Sequence, residues 1–413
     1  MVRSQAHLIN RKIRSRMTES PDPSESVSTR IGPRPLGLHL ATAALSWTGA
    51  VLPGGAWLAA SKGTNPLAEI QDLAVAAEQR FTRLIAGIDA YHRHPYRREE
   101  PRLPVVWRGT GIRVLDYGLK DRPDAPPLLV IPSLINRHYI LDLRPGQSLM
   151  RYLAEQGFRP FLVAWEDFDR ATRYTTVDDC IAGKLEAALG VIRLLTRRRP
   201  VVMGYCLGGL LAAALVSRRP NDVAGLVSLA APWDFHAGKG GFAPGAAQAA
   251  IAVEPVLEAL GALPVDWVQT LFYSLDPFQV IDKFLSFAEM AEGSAQAEAF
   301  VVLEDWLNDG FPLPAPIART LLSDWYGKNT PANGDWHISG KPVCLDTIRT
   351  PALVVVPATD RIVPPPSARA MAAAIPGASM LEVPNGHIGM VASRNARSQV
   401  WEPLTAWLQE AAG

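Results

Sequence analysis

The chain has 413 residues, 48% hydrophobic and 20% charged, with 41 Lys+Arg against 40 Asp+Glu. A formal net charge of +1 removes any electrostatic case for nucleic acid or an acidic partner, while the apolar content suffices for one large core plus an insertion. Three cysteines, Cys180, Cys206 and Cys344, are an odd and sparse set that does not suggest a disulfide framework, so the chain fits a reducing cytoplasm with a thiol free for chemistry.

Residues 1–35 combine Arg, Ser, Pro and Glu without apolar periodicity and are expected to form a disordered basic tail. Residues 36–61 carry no Asp, Glu, Lys or Arg, and that length is enough on paper to span a bilayer. Pro53-Gly54-Gly55 and His39 interrupt the run, so an amphiphilic or buried helix is expected in its place. A helical pattern through Leu67, Ile70, Leu73, Ala76 and Phe81 follows, making 36–100 an N-terminal helical segment that ends in a charged joint. His92 and His94 are the one pair near metal-ligand spacing and sit in Arg-rich sequence, so no metal site is expected.

Two strands around Gly109-Thr110-Gly111 open the domain proper as a hairpin. The apolar runs 126–132 and 160–164 read as strands buried on both faces. A helix presents Val177, Ile181, Leu185, Leu189, Ile192 and Leu195 on one side, with Thr176 as its cap. Next comes Val201-Val202-Met203-Gly204-Tyr205-Cys206-Leu207-Gly208-Gly209, a short strand, a sharp turn and a helix. Further strands are expected at 225–230, 351–357 and 380–383, with a closing helix from 400. This alternation implies a doubly wound α/β domain at 101–231 and 350–413. The aromatic, helix-patterned stretch 232–349 breaks it and reads as a lid over the carboxyl ends of the strands.

Gly-x-Cys-x-Gly between a strand and a helix is the nucleophile elbow of an α/β-hydrolase, with sulfur in place of the usual serine oxygen. Glycines at 204 and 208 let strand and helix approach, and the positive end of the helix dipole favours negative charge at the sulfur. Such a nucleophile requires a base, and the base an orienting acid, in the chain order nucleophile, acid, histidine. Asp360 lies just past one buried strand and His387 just past the last, so Cys206, Asp360 and His387 form the candidate triad. Oxyanion donors are expected at the backbone amide of Leu207 and in the loop 133–136, with Ile135 and Asn136 as candidates. His138 reads as structural; His236 and His337 lie in the lid, where they could meet substrate.

On the segment 128–143 (LLVIPSLINRHYILDL), the box 204–209 (GYCLGG), Trp233-Asp234-Phe235, the loop around Asp360 and GHIGM at 386–390, the sequence resembles the polyhydroxyalkanoate synthase family, the poly(3-hydroxybutyrate) polymerases. The resemblance runs from about residue 36 to the end, and the length is nearer the short, two-subunit type. Arg361 stands after the acid where the family often has histidine. The resemblance implies an α/β-hydrolase fold and an acyltransferase acting on 3-hydroxyacyl-CoA, with Cys206 as nucleophile, His387 as general base and Asp360 as its orienter. Coenzyme A would enter as part of the substrate, with no separate cofactor. Partners would be a polymer granule surface, a second copy or a second synthase subunit. Two other readings stay open on the residues: a cysteine-dependent thioesterase or polyester depolymerase, and a granule-binding protein that retains the fold without catalysis.

Overall fold

The structure, a computed structural model, describes residues 30–58, 66–167, 172–238 and 243–412. Its centre is an eight-stranded sheet: β1 Val105–Gly109, β2 Ile112–Asp116, β3 Pro127–Ile131, β4 Arg159–Trp165, β5 Val201–Tyr205, β6 Gly225–Leu229, β7 Ala352–Pro357 and β8 Ser379–Val383. The spatial order is β1-β2-β4-β3-β5-β6-β7-β8; β1, β2 and β4 pair antiparallel and every later pairing is parallel. Every residue of β3, β5, β6 and β7 is buried, which is why these strands read as unbroken apolar runs without alternation. Each fully buried Leu, Ile or Val among them contributes about 1.5–3 kcal/mol.

Helices cover the faces. The one expected after Thr176 is capped reciprocally: Asp179 N donates to Thr176 Oγ1 at 3.0 Å and Thr176 N to Asp179 Oδ2 at 2.8 Å. It continues into an α-helix at Glu186–Thr196. The helix behind Cys206, Leu207–Arg218, is buried from Leu207 to Val216, sandwiched against the sheet with no solvent face to speak of.

Between β6 and β7 the chain leaves the sheet and builds helices at Ala243–Leu260, Val265–Tyr273, Gln279–Ala288 and Ala295–Asn308. This insertion does not pack alone. The N-terminal helices Leu36–Leu58 and Pro66–Arg93 lie against one another and against Gln279–Ala288. Together they bury Ala43, Leu84, Ile88, Tyr91, Phe284 and Val301 in a second, smaller core. A Cβ on Gly87 would stand 2.2 Å from the Phe284 carbonyl oxygen, so two helix backbones cross in close contact there. The sequence boundary expected at residue 100 therefore divides what packs together in space. An amphipathic helix pair must cover its apolar stripe, and the insertion supplies the cover.

Of the expected tail, 1–29 lie outside the described residues. Arg30, by contrast, is seated: its guanidinium pairs with Asp305 at 2.8 Å and donates to the carbonyls of Tyr91, His94 and Tyr96. The first helix, expected over 36–61, runs through Pro53-Gly54-Gly55 to Leu58. Among the described residues no helix is long and apolar enough to cross a membrane.

Candidate active site

β5 ends at Cys206, whose φ of 57° and ψ of −131° place an L-residue in a sparsely populated region held only by its surroundings. Those surroundings are rigid. Cys206 N donates to Leu229 O of β6 at 2.9 Å, and Gly209 N donates to Cys206 O at 2.9 Å. A Cβ on Gly204 would lie 2.2 Å from the Gly208 carbonyl oxygen, and one on Gly208 would lie 2.1 Å from that of Ile131. Neither position admits a side chain, because the obstructing atoms are backbone. Gly208→Ala is accordingly expected to cost about 3 kcal/mol or more, read as a fall in thermal midpoint. Gly183→Ala, with nothing within 4 Å of the added carbon, should leave the midpoint unchanged or raise it.

The loop after β7 presents Asp360, 5% exposed. Its Oδ1 accepts the Ile362 N–H at 2.8 Å and the Val363 N–H at 2.9 Å, while Oδ2 lies 2.7 Å from His387 Nδ1. Two amides thus fix the carboxylate, and the carboxylate fixes the imidazole with its Nδ1 proton inward and Nε2 free to face the sulfur. The Tyr205 hydroxyl donates to the His387 carbonyl at 3.1 Å, with the two rings 5.3 Å apart. The Cys206 sulfur lies close enough to act on the charge of the His387 ring. Burial alone would lower the proton affinity of this imidazole, but the Cys206 sulfur and the Asp360 carboxylate outweigh it and push the pKa up to about 10. The three side chains, from residues 206, 360 and 387, stand together at the carboxyl end of the sheet.

The Leu207 amide opens its helix, where no preceding-turn carbonyl of the helix can receive it, and it remains a candidate donor. In the loop 133–136, Ile135 N donates to Ser133 Oγ at 3.3 Å. Asn136 Nδ2 donates to Leu307 O at 3.3 Å, and the Asn136 backbone bridges to Gly310. Asn136 therefore fastens the loop to the insertion, since buried carbonyls at the end of Ala295–Asn308 require donors.

Two neighbours, Tyr205 and Tyr326, carried no signal of their own in the sequence, and a third, Arg361, was marked only by its place after the acid. Tyr205 is the strand residue before the elbow. Tyr326 comes from the insertion; burial and the charges at Cys206 and Asp360 hold its hydroxyl protonated well above the usual range. Arg361 ties the acid loop to the insertion through Asp276 at 2.6 Å. Spatial closeness across distant segments is the missing information. His138 is half-buried, with its pKa lowered to about 3, chiefly by desolvation. His236 bonds the Tyr326 carbonyl at 2.8 Å, and His337 is exposed on a separate two-stranded ribbon.

Beside Tyr326 lies an apolar cavity of about 130 Å³, walled by Ile135, Ala249, Leu271, Phe272 and Leu322 among others. Apart from Ile135, its wall comes from the insertion. The arrangement is suited to nucleophilic acyl transfer: a positioned sulfur, an imidazole to hold its proton, and amides at a helix start for a developing oxyanion.

Comparison with known proteins agrees with this geometry. A family model described as the alpha/beta hydrolase fold matches residues 126–391. The poly(3-hydroxyalkanoate) polymerase subunit PhaC of Haloferax mediterranei is 27% identical over 311 residues, covering 74% of this chain and 63% of that protein. The same-named subunit of Thiocystis violacea is 27% identical over 296 residues, covering 70% and 82%. Against the Haloferax and Haloarcula marismortui proteins this chain spans 63% of their length. A parallel sheet switching into an elbow, matched across most of its length by that model, makes this chain a member of the α/β-hydrolase fold family, similar within it to the poly(3-hydroxyalkanoate) polymerases.

Proposed function

We propose that this protein is an acyltransferase that joins 3-hydroxyacyl groups from coenzyme A thioesters into a polyester, with Cys206, His387 and Asp360 as its catalytic triad. The observation that carries the reading is the strained cysteine elbow set against the His387–Asp360 pair, 2.7 Å apart, in a chain similar to polyester polymerases. Cys206 sulfur attacks the thioester carbonyl, and the oxyanion is received at the Leu207 amide. Coenzyme A leaves as its thiol, taking up the proton held by His387. The product is an acyl-cysteine, a thioester exchanged for a thioester, so the step is nearly balanced. The 3-hydroxyl of a second hydroxyacyl group then attacks that carbonyl, gives its proton to His387 Nε2 and displaces the cysteine sulfur as an ester forms. Asp360 keeps the imidazole in the tautomer both steps need. Water competes with the hydroxyl, and the apolar cover of the insertion favours the hydroxyl.

Incubating the purified protein with 3-hydroxybutyryl-CoA, with and without a candidate partner subunit, tests the proposal. Coenzyme A release with polymer supports it; release with free acid alone means a cysteine hydrolase; no release in either arm means a binding protein. The cavity sets a further expectation. Ala249→Phe should fill most of the 130 Å³ and lower kcat/KM for longer acyl groups relative to 3-hydroxybutyryl by about tenfold or more. Alkylation of Cys206 by iodoacetamide should proceed at its original rate, because that small reagent does not need the cavity.

A further inference from the structure

A cleft of about 1070 Å³ opens away from the elbow, between the joint 96–102, the ribbon Asp142–Arg144/Gln147–Ser148 and the segment 393–401. Seven arginines and four acidic residues line it, a balance of +3 (seven minus four), in a chain whose whole net charge is +1. Two of the four acids are already committed. Asp142, 3% exposed, accepts from Arg151 Nε at 2.9 Å and from the Tyr117 hydroxyl at 2.8 Å. Glu298 pairs with Arg144 at 2.8 Å. The other two, Glu99 and Glu100, are exposed on the joint, where solvent screens them.

Arg98, Arg102 and Arg394 have no carboxylate partner among the described residues. Arg98 is the most telling. Its guanidinium stacks 4.2 Å over the Tyr139 ring and reaches the Asp142 carbonyl at 3.3 Å, yet its buried Nε has no hydrogen-bond partner. Trp401, 4% exposed, lines the same cleft, and its buried indole N–H is likewise unpartnered. Arg98, Arg102 and Arg394 therefore bring to the cleft positive charge that no carboxylate neutralises. Ligand oxygens with more than one negative charge would complement it. A phosphate group has that chemistry, and a guanidinium already held flat by a ring loses little freedom on binding it.

We infer that this cleft is a binding site for a phosphate-bearing ligand of nucleotide size. Two sources share that chemistry. One is the phosphoadenosine end of coenzyme A, which rests on the polyester-synthase reading; the other is a free nucleotide acting on the enzyme. The cleft is coupled to the catalytic loop in either case. Ser393 of its wall accepts from Asn385, two residues before His387, at 3.5 Å, and Gln147 donates to the Ala392 carbonyl at 3.0 Å.

Calorimetric titration of the full chain with adenosine 3′,5′-bisphosphate, ATP and inorganic phosphate decides whether the site exists. Saturable binding of at least one probe is expected, weakened tenfold or more both in Arg98→Gln and in the surface variant Arg102→Gln/Arg394→Gln, and weakened by added salt. The surface pair guards against misfolding of the Arg98 variant. No saturable binding of any probe, or equal binding by wild type and the surface variant, overturns the site. Kinetics then separate the sources. A tenfold rise in KM for 3-hydroxybutyryl-CoA, with the phosphate-free N-acetylcysteamine thioester unaffected, assigns the cleft to the substrate. Unchanged KM for both thioesters, with ATP binding lost, assigns it to a free nucleotide. Were neither thioester turned over by the wild type, the polyester reading would fall while the calorimetry still judged the cleft.

Discussion

Cys206→Ala is expected to abolish coenzyme A release from 3-hydroxybutyryl-CoA, by at least about 10⁴-fold, the scale on which an activated nucleophile acts. The elbow gives the sulfur a unique setting among the three cysteines. Cys180 is fully buried and its thiol is pushed up to about 12 by desolvation, so it is inert at neutral pH. Cys344 lies at a turn where its N–H donates to Ser217 Oγ at 3.1 Å, outside the elbow. Cys180→Ala and Cys344→Ala should therefore keep most of the release activity, and loss in either would contradict the assignment. Cys206→Ser carries a sharper test. If a hydroxyl at 206 raised the yield of free acid over polymer-linked acid, the polyester reading would have to be given up for a hydrolase.

Asp360→Asn should lower kcat by roughly 10³- to 10⁴-fold, with the fold intact. The asparagine oxygen can still accept from the Ile362 and Val363 amides, which turns its NH₂ toward His387 Nδ1. A donor facing Nδ1 forces the proton onto Nε2, the atom that must accept from sulfur or hydroxyl. The same change removes a negative charge beside an imidazole whose pKa is raised to about 10. The alkaline limb of thiol alkylation should then move to lower pH in the variant.

Stability has a defined sign as well. A folded-state value above the unfolded one means that the stabilisation from this pairing is complete below about pH 6.5 and is lost as pH rises through about 10. The gap in thermal midpoint between wild type and Asp360→Asn should thus be widest near pH 6 and narrow toward pH 10.5. A gap independent of pH would mean that His387 is not held by that carboxylate.

The strands, the elbow and the three residues of the candidate triad were legible because each is announced by local chemistry. Buried parallel strands are continuous apolar runs, and Gly204 and Gly208 are the only residues their crowded backbones allow. Asp360 and His387 follow strands at the rim where such sheets place ligands. The insertion was legible as a break in alternation, though not in what it touches.

What the sequence by itself determined is therefore the α/β order and the elbow, with the candidate nucleophile, base and acid named on residue type and on neighbours within a few positions. Only the tertiary structure decided that Asn136 ties its loop to the insertion. It likewise decided that Tyr205, Tyr326 and Arg361 surround the triad, that the N-terminal helices share a core with the insertion, and that scattered arginines converge on one cleft. Each of these is a pairing between segments tens to hundreds of residues apart, fixed by which apolar face covers which and which buried donor finds an acceptor. Local propensity and spacing hold no record of such pairings.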